Sequence, residues 1–431
     1  MSKILITGGT GFIARQIIAT LVSEGHNIVA TARESALLGR VFPNIKVIES
    51  NFLKDTAIAT WIKRLEGIDI VINCVGVLQH CAPEEIWQIH YYTPKLLFDA
   101  CLQTGVKKII QISALGIDKH EAPYCTSKLA ADEYLQQLKI DSTIIRPSLV
   151  FGTGSYGGSS LFRGLAGLPF IIPLPGNGQK KLQPIHIEDL AKIVAISLHA
   201  SGKAMIPAVG SEQLSLRRIL NLTREWLGFN KAINFKVPLS LIKAVAILGN
   251  FFRKTPINST SVGMMQIDNV AKEEELKQLQ QLISFQPRGF EEALFSQPSQ
   301  VQDRWHARLY FLRPLARYGI AFLWIWTAVV SLFFYPKTES YALLSHMGIT
   351  PFFQPVLLYM SALLDGLLGF SLLFCYRLRL TASLQISLMV IYSLLISFWL
   401  PIYWLEPFAP IAKNIPIIVL TLIIIALESD R

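Results

Sequence analysis

Tyr124 and Lys128 stand four residues apart in Tyr124-Cys125-Thr126-Ser127-Lys128, a spacing that sets both on one face of a helix. A lysine ammonium beside a phenol favours the tyrosinate, so the pair has the chemistry to exchange a proton with a substrate oxygen. Ser113 ends an earlier β-branched run and supplies a hydroxyl to hold that oxygen. The same spacing recurs in Tyr91-Tyr92-Thr93-Pro94-Lys95, but that copy carries a proline inside its helix and follows no strand ending in serine. The alternative for Tyr124 and Lys128 is an incidental pair on an amphipathic helix. His186, next to Glu188 and Asp189, is a further acid/base candidate. Acidic residues at a helix start also suit its dipole, and that reading makes His186 structural.

A second group of residues has the chemistry to seat a diphosphate. Thr7-Gly8-Gly9-Thr10-Gly11-Phe12-Ile13-Ala14 follows an apolar run and opens a helical pattern, the setting in which a glycine fingerprint is informative. Gly8 permits the turn, Gly11 lets the backbone approach a pyrophosphate, and small Ala14 lets helix and sheet come close. The phosphates then meet the amides of the helix N-terminus. The expected nucleotide contacts are Gly8, Thr10, Gly11, Phe12, Ile13 and Arg15, with Asn51 at the adenine, Cys74, Val75 and Gly76 on the other side, and Lys128. Arg33 ends the second strand, where an acid would bind the ribose of NAD and a cation the extra phosphate of NADP. Arg33 with Arg15 therefore points to NADP(H), while Glu34 keeps NAD(H) open.

These groups need a frame. Strands are expected at Ile4–Ile6, Asn27–Ala32, Lys46–Glu49, Asp69–Asn73, Lys107–Ser113 and Ser142–Arg146, alternating with helices at Phe12–Ser23, Glu84–Thr104 and Pro123–Lys139. That alternation is the signature of a doubly wound α/β fold with a parallel sheet. From Phe151 to Trp305 the pattern loosens into glycine- and proline-rich loops, Gly152–Gly158 and Pro169–Gly178, of the kind that shape a substrate cleft. Helices are expected at Leu214–Trp226 and Pro238–Phe252. In the second, Leu241, Val245, Leu248 and Phe252 share a face that reads as core packing rather than a helix lying on a membrane.

Of the 431 residues, 52% are hydrophobic and the mean hydropathy is +0.41, too apolar for a chain that lies wholly in water. The excess falls in four stretches, Ile320–Tyr335, Val356–Tyr376, Leu380–Trp404 and Phe408–Leu427, where a bilayer crossing needs roughly 20 residues. Lys413 and Pro416 shorten the fourth. The domains are therefore 1–300 for the α/β part, 301–317 for a basic linker and 318–431 for four transmembrane helices. Net charge is +10, without a basic run, zinc pattern or helix-turn-helix to suggest nucleic acid. Arg304, Arg308, Arg313 and Arg317 gather before the first stretch, where an anionic leaflet explains them. Arg377 and Arg379 between the second and third stretches predict both termini in the cytosol, at the inner (cytoplasmic) membrane. The five cysteines have no metal-ligand spacing, so no metal is expected, and the N-terminus lacks a signal peptide. Asp365 inside an apolar stretch marks either function or tight helix packing near Gly366 and Gly369.

The motifs assembled in order resemble the atypical or extended short-chain dehydrogenase/reductases, the NAD-dependent epimerase/dehydratase superfamily. They are Thr7-Gly8-Gly9-Thr10-Gly11-Phe12-Ile13, Ser113-Ala114-Leu115-Gly116, Tyr124 with Lys128, Ile145-Arg146-Pro147-Ser148-Leu149-Val150-Phe151-Gly152 and Gln183-Pro184-Ile185-His186. The subgroup it is most similar to includes proteins like the NADPH-binding accessory subunit of respiratory complex I, over Met1 to Gln300. The run Asp303 to Pro314 with the four stretches after it resembles a DoxX-like membrane domain. Ala14 stands for the usual third glycine, and His90 where many relatives carry the asparagine of a catalytic tetrad. The resemblance implies an NADP(H)-dependent oxidoreductase acting on a carbonyl or alcohol, with Ser113, Tyr124 and Lys128 catalytic and a lipophilic substrate. It equally implies a nucleotide-holding scaffold or sensor for a respiratory complex. Quinone-linked electron transfer through the membrane part is a third reading.

Overall fold

β-Branched runs become strands wherever both faces can be buried, and six of them do so in the first part of the chain. The computed structural model describes residues 1–78, 82–154, 157–250 and 259–428, without the side chains of 248–250. Cys81, Phe252, the side chain of Leu248 and two residues of the 152–158 loop lie outside that description. The chain divides into two units, Met1–Ala307 and Arg308–Arg431.

In the first unit the strands are β1 (Lys3–Thr7), β2 (Asn27–Ala32), β3 (Lys46–Glu49), β4 (Ile70–Asn73), β5 (Lys108–Ile112) and β6 (Asp141–Pro147). They lie in the order β3-β2-β1-β4-β5-β6, and a seventh strand, Lys203–Ala208, pairs with β6. Every pairing is parallel. Winding outward from β1 in both directions reverses the strand order between β1 and β4, and the ends of those strands open a crevice. Alternation divides the sheet's side chains: Ile4 and Ile6 pack with Ile17, Leu21 and Leu190 on one face, while Leu5 packs with Trp61, Leu97 and Phe98 on the other. Both faces are covered, as a doubly wound sheet requires. The seventh strand was not expected from the sequence; its Pro207 is tolerated because the strand lies at the sheet edge.

The expected helix Glu84–Thr104 is a composite of α-helix Pro83–Trp87, a π turn at Gln88–Tyr92 and α-helix Thr93–Thr104. Pro94 has no N–H to return to the preceding turn, and the widened turn absorbs that loss. Beyond β6, three short ribbons pair Val150–Phe151 with Ile185–His186, Lys181–Leu182 with Leu214–Ser215, and Ile171–Pro175 with Ile233–Val237. The helix expected from Pro238 spans Leu239–Asn250, but its apolar face is not core. Leu241 is 56% exposed and Val245 45%, while the neighbouring Ala246 is buried.

In the second unit the first helix, Val301–Val329, begins in the preceding unit and continues through a π turn to Phe334, so the basic linker is itself helical. Helices Lys337–His346, Gln354–Leu373, Leu378–Trp399 and Asn414–Glu428 follow. Among the described residues three helices are long and apolar enough to cross a membrane: Val301–Phe334, Gln354–Leu373 and Leu378–Trp399. Asn414–Glu428, at 15 residues, rises roughly 22 Å, short of the ~30 Å hydrocarbon core. Of the arginines assigned to a leaflet, Arg317 and Arg313 are instead ion-paired within the protein. Arg317 contacts Glu428 at 3.0 Å and Arg313 contacts it at 3.5 Å, because charges this buried need a counterion. Gly369 packs against the first helix, where an added Cβ would come within 2.9 Å of the Ile325 nitrogen.

Candidate active site

The turn after β1 is built by three glycines. Gly8 is left-handed at φ 71°, and a Cβ there would press to 3.1 Å from Val75 Cγ2 and 3.3 Å from the Val75 nitrogen. Gly9 N–H donates to the Thr31 carbonyl and Gly11 N–H to the Gly8 carbonyl, each at 2.8 Å. Helix Phe12–Ser23 then starts at Gly11 with no side-chain cap and no acid in its first turn. Thr10, Gly11 and Arg15 are exposed, Phe12 and Ile13 half-buried, and Ala14 buried. Uncapped amides facing an open turn fit a diphosphate.

Polar residues at the strand ends hold the crevice beside this turn. Thr7 Oγ1 donates to Asn73 Oδ1, and Asn73 Nδ2 donates to Gln111 Oε1 at 2.8 Å. The three lie opposite one another on β1, β4 and β5. The Cys74 amide donates back to Thr7 Oγ1, which fixes the loop Cys74-Val75-Gly76 against Gly8. Burial pushes the Cys74 thiol up to about 12, so it is no nucleophile at neutral pH. Asn51 Oδ1 accepts from Leu53 N–H at 3.0 Å in an Asx turn. Arg33 and Glu34, just past β2, are both exposed.

Tyr124 and Lys128 lie in helix Pro123–Gln137. Lys128 is buried, donates to the Ile112 carbonyl at 3.1 Å, and sits 5.8 Å from the centre of the Tyr124 ring. Burial lowers the Lys128 ammonium, against the pull of Asp132. Burial also raises the Tyr124 phenol well above its ordinary value. Ser113 donates to Asp132 Oδ2 at 2.7 Å, and that carboxylate also takes Arg146 at 2.9 Å. Opposite Tyr124, the His90 ring meets the phenol edge-on at 5.3 Å. Val77 N–H donates to His90 Nε2 at 3.0 Å, which leaves the proton on Nδ1 facing Ser127 Oγ at 3.0 Å. Burial and the Lys128 charge hold His90 well below the usual imidazole range, so it is neutral. The π turn spans His90 and sets this ring beside Tyr124. Tyr91 and Tyr92 pack on Trp87 instead.

Residues 4–206 match the NAD dependent epimerase/dehydratase family and residues 321–422 the DoxX-like family. The chain joins an epimerase/dehydratase domain to a DoxX-like membrane domain. The epimerase/dehydratase part is 24% identical over 266 residues to the photosystem II assembly factor Ycf39 of Synechocystis, covering 59% of this chain and 76% of that one. It is 24% identical over 284 residues to the mitochondrial NADH dehydrogenase [ubiquinone] 1 alpha subcomplex subunit 9 of Arabidopsis thaliana, covering 62% and 68%. Its fold is that of MoeE5, solved in complex with UDP-glucose and NAD, at a TM-score of 0.53 and 18% identity over 72% of this chain and 99% of that one.

Two features of the epimerase/dehydratase domain are not evident from the sequence. Asp132 follows Lys128 at helical spacing, which is a usable signal for a partner on the same face. Arg288 has no local signal: it bonds Asp189 and Glu188 and reaches His186 Nδ1 at 2.9 Å from about a hundred positions away. His186 also caps helix Ile187–Ser197. Burial and the Arg288 charge lower its pKa, and its bonds are those of a structural residue. Beyond it lies a small cleft of about 50 Å³ walled by Phe151, Phe162, Ile219, Trp226 and Phe290, with Arg163 and His186 among its polar groups.

Proposed function

We propose that this protein is a membrane-anchored oxidoreductase that uses NADP(H) to interconvert a carbonyl and an alcohol on a lipophilic substrate. One observation carries the reading. A Cβ added at Gly76 would lie 3.4 Å from Lys128 Nζ, while adjacent Val75 closes on Gly8, so one loop touches both the diphosphate turn and the Tyr124–Lys128 pair. The glycine turn Gly8–Gly11 and the loop Cys74–Gly76 would hold a nicotinamide nucleotide, which would supply the hydride chemistry. Tyr124, kept neutral by its burial, gives its proton to a carbonyl oxygen as the alcohol forms. Lys128 lies close enough to favour the phenolate left behind. His90 is a positioning residue that ties the Val77 loop to Ser127. Exposed Arg33 and Arg15, which carry no ion pair among the described residues, support NADP(H) over NAD(H).

The apolar cleft and the DoxX-like domain support a lipophilic substrate. Arg377 and Arg379 between the second and third spans support a cytosolic position for the epimerase/dehydratase domain at the inner membrane. Full-length protein in lipid nanodiscs, given NADPH and a panel of lipophilic ketones and quinones, tests the reading. The expected result is substrate-dependent NADPH oxidation that falls about 10²–10⁴-fold in Tyr124→Phe. A variant with full turnover on every accepted substrate removes the mechanism.

A second reading, a nucleotide-holding scaffold for a respiratory complex, draws on Ser113. Its hydroxyl proton is already committed to Asp132, which leaves only lone pairs for a substrate oxygen. Nucleotide that co-purifies, resists exchange and is never oxidised favours this scaffold; rapid exchange with net hydride transfer favours the enzyme.

A further inference from the structure

The first unit carries an apolar surface that its own core leaves uncovered. Ile233 and Phe235 alternate onto one face of the ribbon formed with Ile171–Pro175, and the chain runs directly into helix Leu239–Asn250, whose Leu241, Val245 and Ile247 are exposed. At the head of the paired strand, Phe170 is 81% exposed and held in the left-handed region at φ 63°. A bulky residue rarely adopts that conformation without a purpose. Exposed apolar side chains this dense along one segment of a domain mark an interaction site.

Charge identifies the occupant. Lys231, Lys236 and Lys243 stand among these residues, all exposed, and no aspartate or glutamate occurs anywhere from 226 to 267. An apolar face rimmed by lysine and free of acid is the composition of a segment that lies in the headgroup layer of an anionic bilayer. The same polypeptide contains membrane-spanning helices from Val301 onward, so a bilayer is always within reach of this unit. We infer that residues 233–247, with Phe170, form a second membrane contact that seats in an anionic lipid surface, separate from the spans. The catalytic residues take no part in it.

The test uses full-length protein in nanodiscs of phosphatidylcholine with or without phosphatidylglycerol. A photo-crosslinking amino acid replaces Phe235 or Leu241, and Leu37, exposed elsewhere in the same unit, is the reference position. The expected result is lipid adducts at Phe235 and Leu241 well above those at Leu37, stronger with phosphatidylglycerol. Docking weakens on the order of fivefold for each of Lys231, Lys236 and Lys243 changed to glutamine. Lipid adducts no higher than at Leu37, or adducts to protein (this chain, a second copy or another partner), overturn the inference. Adducts indifferent to salt and to the three lysines overturn the assignment to an anionic surface. Amide exchange over residues 239–247 of the unsubstituted protein needs no variant to fold, and it is expected to be slower with phosphatidylglycerol than without. Equal exchange in the two kinds of nanodisc overturns the assignment independently of the crosslinks.

Discussion

The Ser113 hydroxyl donates to the Asp132 carboxylate across 2.7 Å, and the same oxygen binds Arg146. Asp132 is fully buried, so this one carboxylate ties β6 to helix Pro123–Gln137 and to the serine after β5. Asp132→Ala leaves the Arg146 guanidinium inside the fold without a counterion, and the expected loss is about 3–5 kcal/mol. Thermal unfolding of the purified protein measures it. The double variant Asp132→Ala/Arg146→Met recovers most of the loss, because both charges then leave together.

His90 makes a pH-dependent contribution whose sign follows from its environment. Its folded pKa is depressed by burial and by Lys128, so below about pH 6.5 the unfolded chain takes up a proton that the folded chain refuses. Stability from this residue is complete above the unfolded value and is lost as pH falls beneath it, at up to about 1.4 kcal/mol per pH unit. Unfolding midpoints recorded from pH 7.5 to about 5 are therefore steeper for the parent than for His90→Asn. Equal slopes would mean that the imidazole is protonated in the folded protein.

On the proposed mechanism, the raised Tyr124 phenol is expected to give the two reaction directions different pH profiles. Carbonyl reduction needs the protonated form, which prevails throughout the neutral range, so its rate is flat between about pH 6 and 8. Alcohol oxidation needs the phenolate, and its rate climbs without levelling through about pH 9. Initial rates in both directions with one ketone/alcohol pair measure this. An oxidation limb that levels near neutrality would show that the Lys128 charge outweighs burial in the working complex.

Much of this was legible in the residues. β1 to β6 were readable because β-branched residues recur in each run, and the glycine turn because its spacing lies between a strand and a helix. The seventh strand, Lys-Ala-Met-Ile-Pro-Ala, escaped because alanine and proline dilute its β-propensity and only its place at the sheet edge makes it a strand. Helix Leu239–Asn250 misled in the opposite way: an apolar stripe states that a face avoids water, not whether protein or lipid covers it. The Arg317–Glu428 contact was hidden because pairing across a bundle leaves no local pattern. The Ser113–Asp132 contact is an intermediate case, since the helical spacing from Lys128 to Asp132 was visible and only the bond to the serine needed the fold.

The proposal of NADP(H) rests on what Arg33 and Arg15 have left to bind. Both are exposed and unpaired among the described residues, and a charged hydrogen bond to a phosphate contributes roughly 1.5–3 kcal/mol. Arg33→Ala is expected to weaken NADPH about 10- to 100-fold while leaving NADH nearly unchanged. Fluorescence titration of the full-length protein with each nucleotide reads the ratio. A parallel loss for both would place Arg33 at the diphosphate or the adenine rather than at the extra phosphate.

In the DoxX-like domain, Arg317, midway along helix Val301–Phe334 and just before its most apolar part, meets Glu428 at the end of the last helix at 3.0 Å. Both side chains are almost fully buried, and removing one strands the other. Glu428→Gln is expected to destabilise the DoxX-like domain by about 3–5 kcal/mol, and Arg317→Met in the same chain to restore part of it, since Arg313 also loses this carboxylate. If the four apolar stretches after Arg317 all cross the bilayer, a tag appended after the last residue is expected on the same side as the N-terminal domain. Protease added to inside-out vesicles should therefore remove the tag and attack the epimerase/dehydratase domain together, and should spare both in right-side-out cells. A tag cleaved only from the outside would mean that the Arg317–Glu428 pair does not form in the membrane, and the stability rescue by Arg317→Met would then vanish as well.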